Sequence, residues 1–476
     1  MCHGVGGPNG RSAGAVWSVA LAVATAVVYA QGQPLVRYPY LQNVVGDRAT
    51  ILWATRDPGV GSLQYSTNRT AWTTVSTSPR RIPETMTGLS YSYYQHQADL
   101  GGLRPDTEYF YQVTLEGRTL AAGDALRFRT SGAGPFQFLV LGDSGTGSPE
   151  QRAVAQLLAR ERASLILHVG DIGYPTGTFA ALQSRYLDIY QELMRRTPFF
   201  TVPGNHEYDA DNANPYLALH APPHETVPPG DRGRYYSFDW GDVHFVGLDS
   251  NVPLARAAQS NGAMLDWLNQ DLTRTRRPWR IVFFHHPAFP TSRHENDPLC
   301  ALVRERVLPI LDRHNVQLVF SGHEHHYQQS RPVRGGRFVE PGAGTVHVTT
   351  GGGGAPLYPV VPRPVITYAE AAHHYIRTEV QGARLTVRAI RVDGQEIDAF
   401  SLSLPAPPPP PPQPPPTVSP TTSPVSVEAV VNAASFTPEL APGSLISIFG
   451  RYLAGVEGRA LRMPLPQELG GTTVTL

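Results

Sequence analysis

The 476-residue chain contains no lysine; all 39 of its basic residues are arginine. That absence excludes a Schiff-base lysine, a pyridoxal-phosphate lysine and a Walker-A lysine on a phosphate. The arginines are matched by 39 acidic residues, for a formal net charge of +0. A protein that coats nucleic acid carries a basic excess, so the balance argues against that class. Cysteine is almost missing as well: Cys2 lies at the extreme N-terminus and Cys300 is the other. Removal of an N-terminal leader would leave Cys300 alone, without an intrachain disulfide, so folding must rest on apolar cores and on metals. Charged residues are 16% of the chain, against about 25% on average. Gly 45 and Pro 45 together make about a fifth of it, against ~12% on average. This is the composition of a loop-rich, strand-rich chain and not of a helical bundle.

Arg11 precedes an uncharged, weakly apolar run from Ala13 to Ala30, which ends Val28-Tyr29-Ala30 before Gln31-Gly32-Gln33. A basic flank, an apolar centre and small residues at the end make a secretory signal over residues 1–30. An uncleaved membrane anchor is the alternative. A secreted or cell-surface protein, bacterial periplasmic or extracellular, is therefore expected.

Beyond this run the chain divides into four regions. Residues 34–131 read as all-β: Ala49-Thr50-Ile51-Leu52-Trp53 and Ser62-Leu63-Gln64-Tyr65 are short strand patterns between turn residues. Leu103 to Val113 turns at Pro105-Asp106 and continues as a strand, and the stretch resembles the tyrosine corner of fibronectin type III sandwiches, so an Ig-like sandwich is expected. Residues 135–404 alternate strands with helices. Phe136 to Leu141 is a continuous apolar strand, and Ser148-Pro149-Glu150-Gln151 opens a helix, with Ser148 as cap, Pro149 first and Gln151 closing a capping box. Leu165 to Val169, Ile281 to Phe284 and Val316 to Phe320 read as strands, 262–275 and 300–314 as helices, and Tyr235 to Leu248 as a hairpin. The fold class is α/β with a mixed sheet system. Residues 405–424 hold 12 prolines in 20 positions, a semi-rigid polyproline spacer. Residues 425–476 turn β-prone again, too few for a comfortable disulfide-free core.

Five short motifs fall at strand ends or in the loops after them. They are Gly142-Asp143-Ser144-Gly145, Gly170-Asp171-Ile172-Gly173-Tyr174, Gly204-Asn205-His206-Glu207, Val282-Phe283-Phe284-His285 and Gly322-His323-Glu324-His325. In α/β sheets ligands gather outside the carboxyl ends of strands. Each motif alone is compatible with a turn or a helix cap. Together they supply two carboxylates, an amide, a phenol and three imidazoles, which is a metal-binding set. His323 and His325 are two apart and on a strand would share a face. Carboxylate and phenolate oxygens suit a trivalent ion such as Fe(III); imidazole and amide suit Zn(II), Fe(II) or Mn(II). Two cations about 3.5–4 Å apart can bridge a phosphate and generate hydroxide near neutral pH. They also explain how an anionic phosphate is held without lysine.

These motifs, in this order, resemble the binuclear metallophosphoesterase (calcineurin-like phosphoesterase) superfamily, and Tyr174 points within it to the purple acid phosphatases. The resemblance covers roughly 34–404, including the fibronectin type III-like N-terminal domain. It implies a four-layer αββα sandwich. It implies Asp143, Tyr174 and His325 on Fe(III), Asn205, His285 and His323 on the divalent ion, and Asp171 bridging. It implies a purple colour from the Tyr174 phenolate, and hydrolysis of phosphomonoesters by metal-activated hydroxide. His285 and His286 compete for one ligand role, and the motif favours His285. His206 resembles the substrate-contacting histidine of the family. His294 falls where plant-type members carry the first of two adjacent histidines; the second is Glu295 here, a departure that touches leaving-group protonation. His206 and His294 are the candidates for phosphate binding and general acid work.

His168 reads as a strand-core histidine, and His326-Tyr327 and His373-His374 as walls of the site. The run Gly351-Gly352-Gly353-Gly354 lacks the lysine of a P-loop and reads as close-packed backbone near the site. Asn432 to Phe436, Leu440 to Ser444 and Gly470 to Val474 resemble an Ig-like C-terminal module of some secreted bacterial proteins, here partial, which would serve cell-surface attachment. The main reading is a secreted acid phosphatase acting on small phosphate esters. The alternatives are a phosphodiesterase or nucleotide hydrolase on the same scaffold, and a surface-binding protein with an inactive catalytic domain.

Overall fold

The computed structural model describes Met1, residues 34–251, Leu254, 262–405, 426–439, 446–451, 468–469 and 472–473. The N-terminal apolar run and the spacer after Pro405 lie outside the described residues. So do parts of the C-terminal stretch. Among the described residues no helix is long and apolar enough to cross a membrane. The chain divides into two compact units, Met1–Pro405 and Ala406–Leu476.

The first unit opens with nine strands: β1 Leu35–Gln42, β2 Ala49–Thr55, β3 Gly61–Ser66, β4 Thr73–Thr77, β5 Arg80–Ile82, β6 Tyr93–Leu100, β7 Glu108–Leu115, β8 Arg118–Ala121 and β9 Arg127–Arg129. They form two sheets, β1-β2-β6-β5 and β4-β3-β7-β8, with β9 paired to β7. Ile51, Trp53 and Ala98 of one sheet and Leu63, Tyr111 and Val113 of the other share one buried core, the sandwich arrangement. The Tyr109 hydroxyl accepts the Arg104 amide at 2.9 Å, so the expected tyrosine corner is formed. Two hydroxyls tie the sandwich to the α/β region. That of Tyr40 donates to the Leu219 carbonyl at 2.7 Å, and that of Tyr111 to the Arg195 carbonyl at 2.7 Å.

The remaining strands are β10 Phe136–Leu141, β11 Leu165–His168, β12 Phe199–Thr201, β13 Tyr236–Trp240, β14 Val243–Gly247, β15 Trp279–Phe283, β16 Leu318–Ser321, β17 Tyr327–Ser330, the hairpin β18 Val333–Arg334 and β19 Arg337–Phe338, β20 Val346–Thr350, β21 Ile366–Glu370, β22 His374–Gln381, β23 Arg384–Arg391 and β24 Glu396–Ser403. Two sheets result, in the orders β12-β11-β10-β22-β23-β24 and β13-β14-β15-β16-β20-β17-β21. Each has a parallel part: β12, β11 and β10 on one side of the first, and β14, β15, β16 and β20 in the middle of the second.

Strand alternation explains the layering. Phe138 on β10 meets Phe245 of β14 and Phe320 of β16, with ring centroids 5.2 and 6.2 Å apart. Its neighbours Leu139 and Leu141 point the other way and pack with Val154, Ala155 and Leu158 of the helix Pro149–Leu158. The helix Ala263–Arg274 buries Met264, Trp267, Leu268 and Leu272 with the second sheet, a helical stripe at the expected spacing. Helix, sheet, sheet and helix are thus stacked as expected.

Local details refine the sequence expectations. Ser148 Oγ accepts the Gln151 amide at 3.1 Å, so the cap is formed. Gln151 does not close the capping box: its Oε1 accepts the Gly147 amide at 2.7 Å and its Nε2 donates to the Arg185 carbonyl at 2.6 Å. The helix expected over 300–314 is three pieces, Pro298–Leu302, a wider π-type turn Val303–Val307, and Leu308–Arg313. Pro309 lacks the amide hydrogen that a continuous helix would use there. In the second unit, strands Ser426–Asn432 and Ile446–Arg451 pair antiparallel. Asn432 Oδ1 accepts the Ala434 amide at 2.9 Å.

Candidate metal centre

The five motifs leave the carboxyl ends of β10, β11, β12, β15 and β16, on the same edge of the two facing sheets. Three of the residues at these ends have left-handed backbone: Asp143 with φ 56, Asp171 with φ 57 and His323 with φ 70. Non-glycine residues seldom adopt this conformation, which costs about 1–3 kcal/mol and collects at functional sites. Two preceding glycines are needed for close approach. A Cβ on Gly204 would lie 2.0 Å from Asp171 Oδ1, and one on Gly322 would lie 2.4 Å from Asp143 Oδ2.

Two clusters of ligand atoms result. Asp143, Asp171 and His325 form one, and His285, His286 and His323 the other; the ligand atoms of each lie within 4.8 Å of one another. The Tyr174 hydroxyl completes the first, donating to Asp171 Oδ2 at 2.9 Å and lying 3.1 Å from His325 Nε2. Asn205 completes the second, its Oδ1 3.0 Å from His285 Nε2. Asp171 Oδ2 also lies 3.5 Å from His285 Nε2, which places Asp171 between the clusters. All seven candidate ligands therefore converge. His286 sits in the second cluster too, but its Nδ1 is engaged with Ser250 Oγ at 2.8 Å. His285 Nε2 faces Asn205, Asp171 and, at 3.2 Å, His323 Nδ1, so the geometry favours His285.

His323 and His325 do not share a strand face. They lie in the turn between β16 and β17 and serve different clusters. The left-handed backbone at His323 reverses the chain before a strand pleat could act.

Each of the three imidazoles is oriented from behind. His285 Nδ1 lies 2.9 Å from the Val169 carbonyl oxygen, His325 Nδ1 2.8 Å from that of Pro356, and His323 Nε2 3.1 Å from Asp297 Oδ2. Each rear nitrogen thus carries a hydrogen and the other ring nitrogen faces the centre.

Two fully buried glutamates hold the loops. Glu207 accepts amides of Asp171, Ile172 and Gly173, all at 3.0 Å, and of Gly204 at 2.7 Å. Glu324 accepts those of Ser292, Arg293 and His294 at 3.1, 3.2 and 2.9 Å.

The two rim histidines are partly exposed. The His206 ring packs on Tyr174 with centroids 4.3 Å apart, and its Nε2 lies 3.8 Å from Asp171 Oδ2. The His294 ring stacks on His323 at 3.7 Å. Glu295 is exposed and held by Arg363 at 2.7 Å. The remaining sequence candidates are walls. His168 Nε2 bonds Ser144 Oγ at 2.8 Å, His326 bonds Gln328 and His374 bonds Thr350. The glycine run closes over the first motif, with the Gly353 amide on the Gly142 carbonyl at 3.0 Å.

The electrostatics are those of a site built for cations. Asp143 and Asp171 are buried, and among the described residues only histidines pair with them. Burial opposes charge on His285, but Asp171 prevails and raises it to about 10. Burial also opposes charge on Asp171; His285 prevails and holds the carboxyl far below the usual range. Burial, Asp171 and Asp143 push the Tyr174 phenol well above 10. A buried carboxylate needs a partner charge, hydrogen bonds or a metal, and a bound cation would compensate Asp143 and Asp171 together.

Sequence reasoning missed Glu207, Glu324 and Asp297. The first two stand within the quoted motifs, and the signal available was a carboxylate beside a ligand in a loop that must be rigid. Asp297 opens a helix, where it caps the Leu299 amide at 2.7 Å, and carries no separate signature.

Comparison with known proteins fits this geometry. Residues 136–327 match the family described as calcineurin-like phosphoesterase, and residues 39–130 the purple acid phosphatase N-terminal domain. Purple acid phosphatase 21 of Arabidopsis thaliana is 28% identical over 282 residues, 56% of this chain and 61% of its own. An uncharacterized protein of Mycobacterium tuberculosis is 29% identical over 308 residues, 54% of this chain and 58% of its own. The match thus spans less than two thirds of these relatives. Acid phosphatase type 7 of Homo sapiens is 25% identical, over 73% of this chain and 86% of its own. The solved purple acid phosphatase from yellow lupin (Lupinus luteus) seeds superposes with a TM-score of 0.66 at 19% identity, covering 77% of this chain and 74% of that one. The chain thus carries a region of the calcineurin-like phosphoesterase family, residues 136–327, behind a purple acid phosphatase N-terminal domain, residues 39–130.

Proposed function

We propose that the protein is an exported acid phosphatase that hydrolyses phosphomonoesters at a two-metal centre. Asp143, Tyr174 and His325 would hold Fe(III); Asn205, His285 and His323 a divalent Zn, Fe or Mn; and Asp171 would bridge them. The observation that carries the reading is the convergence of two buried carboxylates, with no arginine partner among the described residues, on three imidazoles oriented from behind. These donors fit such a pair: hard oxygens gather on one side and imidazole nitrogens on the other. The metals, when bound, would supply a nucleophile from water and positive charge for the phosphate.

The chain's own residues do the rest. Asp171, between the clusters, keeps the two halves in register. Glu207 and Glu324 hold the loops so that little reorganisation is needed when charge develops. His206 and His294 stand at the rim, where they bind phosphate oxygens and meet the leaving group. Burial, with His323 and His285, holds His294 down to about 4. Above that pH it meets the ester as a neutral N–H donor, and a phosphate dianion beside it favours its protonated form. The Glu295 carboxylate is paired with Arg363 at the surface. Export rests on the N-terminal run alone.

The test couples three measurements on one preparation: metal content, visible colour and kcat/KM for a monoester against a diester. The proposal expects two metals per chain, a purple band and preference for the monoester. An active, colourless, iron-free enzyme overturns the Fe(III) assignment, and preference for the diester overturns the substrate class.

A further inference from the structure

Glu324 lies between two ligands and touches neither the clusters nor the solvent. It is fully buried. Its carboxylate gathers three consecutive amides, with Ser292 and His294 on Oε1 and Arg293 on Oε2. Among the described residues no arginine pairs with it, so those amides are its compensation. Hydrogen bonds to a charged acceptor are about twice as strong as neutral ones. The segment they hold contains no metal ligand. It contains His294, whose ring is stacked on His323 and whose Nδ1 is buried without a hydrogen-bond partner, 3.9 Å from Glu324 Oε2. A buried polar atom left unpartnered calls for a functional explanation.

The other ties on this segment are weaker. Ser292 Oγ donates to the Pro359 carbonyl at 2.7 Å, Arg293 lies over the Tyr358 ring at 5.1 Å, and Arg363 holds Glu295. These are at the surface, where an exposed ion pair contributes little; the Asp297 amide also reaches the His294 carbonyl at 3.0 Å, which fixes only the chain after the ring. The buried carboxylate therefore decides where the backbone of 292–294 lies, and with it where the His294 ring lies.

We propose that Glu324 is a positioning residue for His294: it fixes the imidazole at the mouth so that its N–H meets the oxygen leaving phosphorus. This rests on the phosphatase reading above. The negative charge that develops on that oxygen is larger for an alkyl alcohol than for a dinitrophenol. Loss of a donor there must harm the alkyl ester more.

The test uses the full, metal-loaded chain with Glu324→Gln, His294→Ala and the double variant, on an alkyl phosphate and on 2,4-dinitrophenyl phosphate. Glu324→Gln is expected to lower kcat on the alkyl ester by roughly 10–100-fold and to change the activated ester much less. The double variant is expected to be no worse than His294→Ala, because the two act as one unit. Amide exchange at 292–294 is expected to accelerate in Glu324→Gln with metal content unchanged, a readout that needs no turnover. Equal losses on both esters, additive losses in the double variant, or unchanged exchange would overturn the inference. Should Glu324→Gln not fold, His294→Ala carries the test alone: a loss independent of leaving group contradicts it. A metal-loaded wild type inactive on both esters defeats the phosphatase reading and the leaving-group role together; faster exchange in Glu324→Gln would then mark the tie as structural only.

Discussion

The two sheets reach the same centre with different atoms. Loops after β10, β11 and β12 deliver oxygen from Asp143, Asp171, Tyr174 and Asn205. Loops after β15 and β16 deliver nitrogen from His285, His323 and His325. Neither sheet completes the centre alone. The cluster of Asp143, Asp171 and His325 crosses between them, and Asn205 crosses to His285. The halves are otherwise built alike: each turns through left-handed residues, and each rests on a buried glutamate that gathers amides. They differ in what that glutamate holds. Glu207 binds the amide of Asp171 itself, so it supports a ligand. Glu324 binds a segment with no ligand, so it supports the mouth. On the proposed reading, metal capture and substrate handling would rest on separate buried carboxylates.

The most damaging break is at the shared residue. Asp171→Asn removes charge from both halves and should cost several kcal/mol of transition-state stabilisation, about 10³-fold or more in kcat; metal analysis should show both ions weakened. Glu207→Gln should lower metal affinity by roughly 10–100-fold, measured by titration with a competing chelator, whereas Glu324→Gln should leave it unchanged. Tyr174→Phe tests the oxygen half alone: the visible band should vanish while part of the activity remains. The smallest effect lies where the second sheet meets the helix Ala263–Arg274. His244 is bound by Asp239 at 2.7 Å and Asp271 at 2.8 Å; burial opposes its charge, but these carboxylates raise it to about 9. A raised histidine stabilises fully below its unfolded value of about 6.5 and loses that contribution as pH climbs through 9. His244→Gln should therefore lower the Tm by a few degrees at pH 6 and by less at pH 10, read by thermal melts at both pH values.

Much of this was legible because it is local in sequence. A glycine followed by a polar residue after an apolar strand marks the chain reversal at Asp143, Asp171 and His323, and the Pro105-Asp106 turn before Tyr109 marks the corner of the sandwich. The capping role of Ser148 is equally local. What escaped depends on burial or on distance along the chain. A glutamate in Gly204-Asn205-His206-Glu207 reads as a solvated acid until the fold shows amides of 171–173 closing on it. The spacing of His323 and His325 suggested a shared strand face, but the left-handed turn sends them to different clusters. The pairing of Glu295 with Arg363 joins residues 68 apart, and no spacing rule connects them. The wider turn Val303–Val307, just before Pro309, lies inside what the sequence reads as one helix over 300–314.

One claim is central: two cations, one in each half, share Asp171. Anomalous diffraction from crystals of the metal-loaded protein, recorded at the iron edge and at the edge of the divalent metal, tests it directly. The expected result is two peaks, an iron peak enclosed by Asp143, Asp171, Tyr174 and His325 and a second enclosed by Asp171, Asn205, His285 and His323. A single peak, or two peaks of which one lies away from Asp171, would contradict it.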